Sequence, residues 1–128
     1  MGQVTGEEVK GYKKLKVYQS AHLLVKEVYK VTAKFPQSEL FGLTSQMRRA
    51  AVSVVANILE GYGRYGSKEL LRFLHIAQGS LAELEYYIEL SGDLGYCTSP
   101  ATHDLEEIRL ATGALLGGWI RSLKSVKN

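Results

Sequence analysis

The densest gathering of residues able to do chemistry lies between 61 and 72, where Gly61, Gly63 and Gly66 alternate with Tyr62, Arg64 and Tyr65 and lead into Ser67, Lys68 and Arg72. The Gly61-x-Gly63-x-x-Gly66 spacing matches the dinucleotide fingerprint, in which glycines let backbone amides reach a pyrophosphate. That fingerprint works between the strand and the helix of a βαβ unit. Here helical patterns lie on both sides of it, so a dinucleotide site is set aside. Two readings of the segment stand. In one it is an inter-helix turn, with Gly61 or Gly63 in a left-handed C-cap and the basic residues merely solvated. In the other it holds phosphates: a helix starting at Ser67 presents free amides and the positive end of its dipole, Arg64, Lys68 and Arg72 add charge, and Tyr62 and Tyr65 offer faces for stacking on bases.

Other reactive residue types do not assemble into a pattern. His22, His75 and His103 fall on different elements, and the Glu-x-x-His pairs that build di-iron bundles do not occur. They read as surface or interface histidines rather than ligands, and no metal or other cofactor is expected. Cys97 is the single cysteine, so it forms no internal disulfide and no thiolate cage. No serine stands in a Gly-x-Ser-x-Gly elbow, and an enzyme is not expected. A different constellation runs along the second helical segment: Arg49, Ser53, Asn57, Glu60 and Arg64 recur at helical spacing beside an apolar stripe. This polar row is either solvated or bound to a neighbouring subunit through the Asn57 amide and a Glu60 to arginine pair. Ala50 and Ala51 beside it permit close helix approach, which favours the subunit interface.

Four helical patterns must position these groups. Tyr18, Ala21, Val25, Val28, Thr32 and Phe35 share one face up to Pro36. After Gly42, with Thr44 as the expected N-cap, Met47, Ala51, Val54 and Ile58 form a second stripe widened by Ala50 and Val55. Ser67 is the expected cap of the third helix, whose stripe Leu70, Leu74, Ala77, Leu81, Leu84, Ile88 and Ser91 is the most regular in the chain. Ser99-Pro100 opens a fourth, with the stripe Leu105, Ile108, Thr112, Leu115, Trp119 and Leu123. Gly113, Gly117 and Gly118 weaken that last helix, and a second helix packed closely beside Trp119 would compensate. No segment alternates with period 2, so the fold class is all-α, an antiparallel up-down-up-down four-helix bundle. A flexible segment over 1–11, a bundle domain over 12–125 and a tail over 126–128 complete the expected organisation.

With 128 residues, 45% hydrophobic and 23% charged, the chain suits one globular domain rather than a disordered or fibrous one. No apolar run approaches the roughly 20 residues needed to cross a bilayer. The lysine- and glutamate-rich start is unlike a secretory signal, and cytoplasmic residence is expected. Net charge is a modest +3, but its distribution is uneven. Residues 83–107 carry Glu83, Glu85, Glu89, Asp93, Asp104, Glu106 and Glu107 with no lysine or arginine, while 108–128 carry four basic residues and no acid. Such segregation suits either acid-to-base docking of identical subunits or a basic face for a polyanion, against the plain alternative of solvated helix faces.

Two strings carry a resemblance: Gly42-Leu-Thr-Ser-Gln-Met-Arg-Arg-Ala-Ala-Val-Ser53 with Ala56-Asn-Ile-Leu-Glu-Gly61, and Lys68-Glu-Leu-Leu-Arg-Phe-Leu74 with Ile76-Ala77 and Gly79-Ser-Leu-Ala-Glu-Leu-Glu85. In order and separation they resemble the bacterial four-helix-bundle proteins encoded in intervening sequences of 23S ribosomal RNA genes. The likeness covers roughly Tyr12 to Lys124. Val55 stands where that family has proline, Leu59 where alanine is usual and Tyr18 where tryptophan is common, and loss of the proline should straighten the second helix. The resemblance implies an up-down bundle, a ring-shaped homopentamer and no known enzymatic activity. The family is similar in fold to accessory variability proteins of diversity-generating retroelements, which bind nucleic acid and a reverse transcriptase, and Leu115-Leu-Gly-Gly-Trp-Ile-Arg121 resembles their C-terminal end. The expected function is therefore non-enzymatic binding of RNA or other nucleic acid through Arg48, Arg49, Arg64, Lys68, Arg72, Arg121 and Lys124, with Arg49, Ser53, Asn57, Glu60 and Trp119 at a subunit interface. The rival expectation is a protein–protein scaffold without nucleic acid.

Overall fold

The structure is a computed structural model that describes residues 11–127. After a short 3-10 turn at Gly11–Lys14 come four α-helices: α1 (Lys16–Thr32), α2 (Leu43–Tyr62), α3 (Ser67–Asp93) and α4 (Ser99–Lys127). A second 3-10 turn, Gln37–Glu39, interrupts the link between α1 and α2. No strand occurs among the described residues. The expected flexible segment over 1–11 lies outside the described residues except for Gly11, and α4 continues through Lys127, past the expected end of the bundle at 125.

Helices adjacent in sequence pack on one another, and α1 also packs on α4, which closes the bundle. Cross-helix pairs give the directions. Ser53 meets Ser80 and Gly61 meets Leu70 and Phe73, so α2 and α3 are antiparallel. Arg109 pairs with Glu85, Gly92 lies by Thr102 and Gly113 by Leu81, giving the same sense for α3 and α4. Ser20 bonds Thr112 at 2.6 Å while Phe35, just past α1, packs on Tyr96, just before α4. Arg48, early in α2, reaches Thr32, the last residue of α1.

The core follows from the apolar stripes. In α3 the expected row from Leu74 to Ser91 is buried throughout, and in α2 Met47, Ala50, Ala51, Val54 and Ile58 are buried. The α1 stripe is rotated slightly from expectation: Val17, Leu24 and Val28 are buried while Tyr18 and Val25 are half-buried. In α4 the buried row is Leu105, Thr112, Leu116 and Ile120, and Leu115 is exposed. Several buried hydroxyls are bonded: Thr112 Oγ1 donates to the Ile108 carbonyl, Ser91 Oγ to that of Ile88 and Thr32 Oγ1 to that of Val28. Those bonds offset the cost of removing hydroxyls from water.

Helix ends correct four local expectations, the last being a cap at Ser99. Thr44 does not cap α2, because the helix has already begun at Leu43 and Thr44 is buried within it. Glu39 takes that role through space, its Oε1 accepting from the Leu43 amide at 2.9 Å. Ser67 is the first residue of α3 rather than its cap, and Gly66 precedes it with φ +86°. The left-handed glycine of this turn is thus Gly66, not Gly61 or Gly63, and Gly63 is right-handed at φ −84°. Before α4, Thr98 Oγ1 accepts from the Ala101 amide, so the cap lies one residue ahead of Ser99.

Candidate functional site

Antiparallel packing brings four chain ends together. The C-terminal turns of α2 and α4 and the N-terminal turns of α1 and α3 form one end of the bundle, and the other end joins α1 to α2 and α3 to α4. Arg64, Lys68, Arg72, Arg121 and Lys124 all fall at the first end and all are exposed. Arg48 and Arg49 do not join them: they lie in the second turn of α2, about 24 Å along the helix from Arg64 at 1.5 Å per residue. Sequence reasoning missed Lys13, Lys14 and Lys16. Those lysines come to the basic end because the N-terminal turn packs there, where a Cβ on Gly11 would lie 2.5 Å from Tyr62 Oη and Gln19 Nε2 donates to the Lys13 carbonyl at 3.0 Å. Only the closing of the bundle reveals this, although the run of lysines was visible.

The α2–α3 turn is built around two close features. Gly61 is buried where the helices converge, and a Cβ there would stand 3.0 Å from Leu70 Cδ1 and from Phe73 Cβ. Next to it, the Arg64 guanidinium lies 5.2 Å and the Arg72 guanidinium 4.5 Å from the centre of the Phe73 ring. One aromatic thus steers two cations toward the same end. Arg64 also pairs with Glu60, and Arg72 with Glu69 at 3.5 Å. All four side chains are largely exposed, so these pairs are weak and exchange readily with another anion. No side chain caps α3, whose first amides stay open at the turn. The Tyr62 hydroxyl lies beside Gly11 of the N-terminal turn, whereas Tyr65 is 98% exposed and stacks on no other ring among the described residues.

The remaining candidate residues have local duties. Arg48 donates from Nε to Thr32 Oγ1 at 2.9 Å and lies 4.5 Å over the Tyr29 ring, which ties α2 to α1. Arg49 Nη2 donates to Gln46 Oε1 at 3.2 Å. Of the polar row, Ser53 bonds Ser80 at 2.8 Å and Asn57 bonds Ser53 on its own helix, so both find partners inside the chain. Glu60 is the partner of Arg64. Trp119 is partly buried against the core. Among the described residues no other helix faces Gly117 or Gly118, where an added Cβ would meet the Arg121 guanidinium at 3.4 and 3.8 Å, whereas one on Gly113 would meet Leu81 of α3 at 3.9 Å.

Acidic residues gather on the α3–α4 wall toward the opposite end. Arg109 is held there by Glu85 and Glu106, with its side chain 11% exposed. That pairing partly neutralises the acidic stretch from within the chain. Among the described residues no cluster of His, Cys, Asp and Glu is suited to a metal ion. No described helix is long and apolar enough to cross a membrane.

A family model described as 23S rRNA-intervening sequence protein matches residues 13–118, most of the bundle. The chain belongs to that family. A solved structure of a protein of unknown function from the S23 ribosomal protein family of Bacteroides thetaiotaomicron superposes with a TM-score of 0.73. It is 22% identical, over 81% of this chain and 97% of that one, which shows the shared fold. No functionally curated protein matches. Val55, where the sequence resemblance predicts proline, is half-buried against the core, and α2 runs unbroken through it.

Proposed function

We propose that this member of the intervening-sequence family is a non-enzymatic, self-associating bundle that binds RNA or another nucleic acid through its basic end. The observation that carries the reading is the gathering of Arg64 from the α2–α3 turn, Lys68 and Arg72 from α3, and Arg121 and Lys124 from α4 at one exposed end, with Glu60 and Glu69 as the acids beside them. Side chains of this kind neutralise phosphates and release condensed counterions, so affinity is supplied by several modest contacts rather than one deep site. Repetition of the patch around a closed assembly raises avidity without any new contact. Arg49 adds to this surface only for a strand that runs along α2.

Self-association is part of the same reading. Leu110 and Leu115 on α4 and Tyr86 on α3 are exposed apolar groups, and the glycines of α4 leave space for a second chain. A ring made by heterologous contacts, with a homopentamer as the resemblance implies, also suits the segregated charge. Light scattering should give a multiple of the 14.2 kDa chain mass. A mass of one chain overturns self-association, and a dimer removes the ring.

Binding of a fluorescent structured RNA across a salt series tests the main claim. Binding at low ionic strength that weakens steeply as salt rises supports it; absence of binding at low salt, or affinity indifferent to salt, overturns it. The second reading, a protein scaffold, rests on the far end of the bundle. There Tyr29, Leu40, Phe41, Arg48 and Val52 line an open groove, and Phe41 is 92% exposed.

A further inference from the structure

The basic end carries one side chain that neither packing nor charge explains. Tyr65 stands almost fully in water at the tip of the α2–α3 turn, while its neighbour Tyr62 is pinned against Gly11. Leaving a phenol ring in water forgoes the burial that normally repays an aromatic residue. Arg64 precedes Tyr65 in the turn and Lys68 follows in the first turn of α3, both exposed, while the guanidiniums of Arg64 and Arg72 lie over the Phe73 ring at the same end. An aromatic face flanked by cations is the arrangement that single-stranded nucleic acid requires: backbone phosphates meet the cations and an unpaired base stacks on the ring. A duplex offers the same phosphates but keeps its base faces within the stack.

We infer that the basic end selects unpaired nucleic acid over duplex, with Tyr65 as the base-stacking residue between Arg64 and Lys68. The inference rests on the nucleic-acid reading above and adds the substrate class to it. Phosphate contacts then supply the salt-dependent affinity for any strand, and Tyr65 supplies the difference between strands. Because stacking uses a face that every base possesses, little sequence preference follows from it.

The experiment compares an unstructured pyrimidine-rich RNA oligomer with a blunt RNA duplex of the same length, by fluorescence anisotropy on the full chain. Wild type should bind the single strand more tightly. Tyr65→Ala should weaken single-strand binding by about tenfold and leave duplex binding and the salt slope in place, since it removes stacking and no charge. Tyr65→Trp should retain the preference, with its indole emission quenched by the single strand. Phe41→Ala, an equally exposed aromatic at the other end, should change neither ligand. The inference is overturned if Tyr65→Ala leaves single-strand affinity unchanged or lowers single-strand and duplex affinity equally. If neither oligomer binds at low salt, the nucleic-acid reading fails and this one with it; if both bind equally well, only the selectivity fails.

Discussion

The two ends of the bundle are made in opposite ways. At the end joining α1 to α2 and α3 to α4, polar side chains are used up in holding the chain. Glu39 accepts the Leu43 amide with one oxygen and the Tyr96 hydroxyl, at 3.1 Å, with the other, so one carboxylate starts α2 and secures the loop before α4. Phe35 packs on the Tyr96 ring, and Arg48 is bound to Thr32 and Tyr29. At the basic end the connection is a short turn through Gly66, its arginines hold half-exposed ion pairs and lie over the Phe73 ring, and its tip residue Tyr65 is 98% exposed. Side chains committed to packing are less free to meet a ligand, and that contrast supports the proposal that the basic end is the one that binds nucleic acid.

The strongest way to break this comparison is to reverse charge at each end in turn. Arg64→Glu with Arg72→Glu should lower RNA affinity at low salt by about a hundredfold and reduce the salt slope by about 2, one for each lost phosphate contact. Arg49→Glu, exposed and bonded to Gln46, should change affinity by less than about threefold on the same ground. Circular dichroism should show unchanged helix content in both. Equal losses from the two ends would abolish the distinction, and loss of assembly with RNA binding intact would favour the scaffold.

A second substitution tests how the working end is supported. Gly61→Val would drive a side chain into Phe73 Cβ and within 3.4 Å of the Leu70 carbonyl, both fixed close to backbone. Overpacking of this kind should cost about 2 kcal/mol in urea unfolding. It should also weaken RNA binding, because Phe73 carries the two guanidiniums. Stability retained within about 0.5 kcal/mol would show that α2 and α3 can separate here without strain.

How much of this was legible beforehand depended on whether one helix or several decided the matter. The α2 and α3 stripes were readable because each contains a single apolar row. In α4 the run Leu115-Leu116-Gly117-Gly118-Trp119-Ile120 offers two rows, and periodicity selected Leu115 where packing buries Leu116 and Ile120. Caps at Thr44 and Ser67 were misread since the first is replaced by Glu39 acting through space and the second by a left-handed glycine. Arg64, Lys68 and Arg72 were visible as one cluster because a single turn holds them. The lysines of the first turn were not, as only the bundle brings Lys13, Lys14 and Lys16 beside them. Ser53 and Asn57 read as interface candidates, yet their first partners are Ser80 and one another.

The fixed end can be loosened without touching RNA binding. Glu39→Ala removes a helix cap and should cost about 1 kcal/mol while affinity for RNA stays the same. The bond to Glu39 raises the Tyr96 pKa above its ordinary 10.0, followed by burial and the carboxylate's charge. A raised pKa means that the folded state holds the proton more firmly. This contribution is complete below pH 10 and is lost as pH climbs through the raised value. Tyr96→Phe should flatten part of the alkaline decline in stability, and Tyr87, raised in the same direction by its bond to Glu83, contributes with the same sign. An unaltered alkaline limb in Tyr96→Phe would remove the latch from the account.

The smallest effects should come from glycines, and they sharpen the comparison by asking which helix faces are free. Gly79 lies inside α3 with nothing within 4 Å of an added Cβ, so Gly79→Ala should stabilise the chain by about 0.5–1 kcal/mol, chiefly by restricting the unfolded state. Gly117 has the same intrinsic preference for alanine, since the atom nearest its added Cβ is the flexible end of Arg121. The two positions differ in what a second chain would do. If the glycine row of α4 receives another subunit beside Trp119, Gly117→Ala should lose that gain and shift the assembly toward single chains at micromolar concentration. Sedimentation of the two variants side by side decides it: equal stabilisation with unchanged mass would leave the α4 glycines with no assembly role.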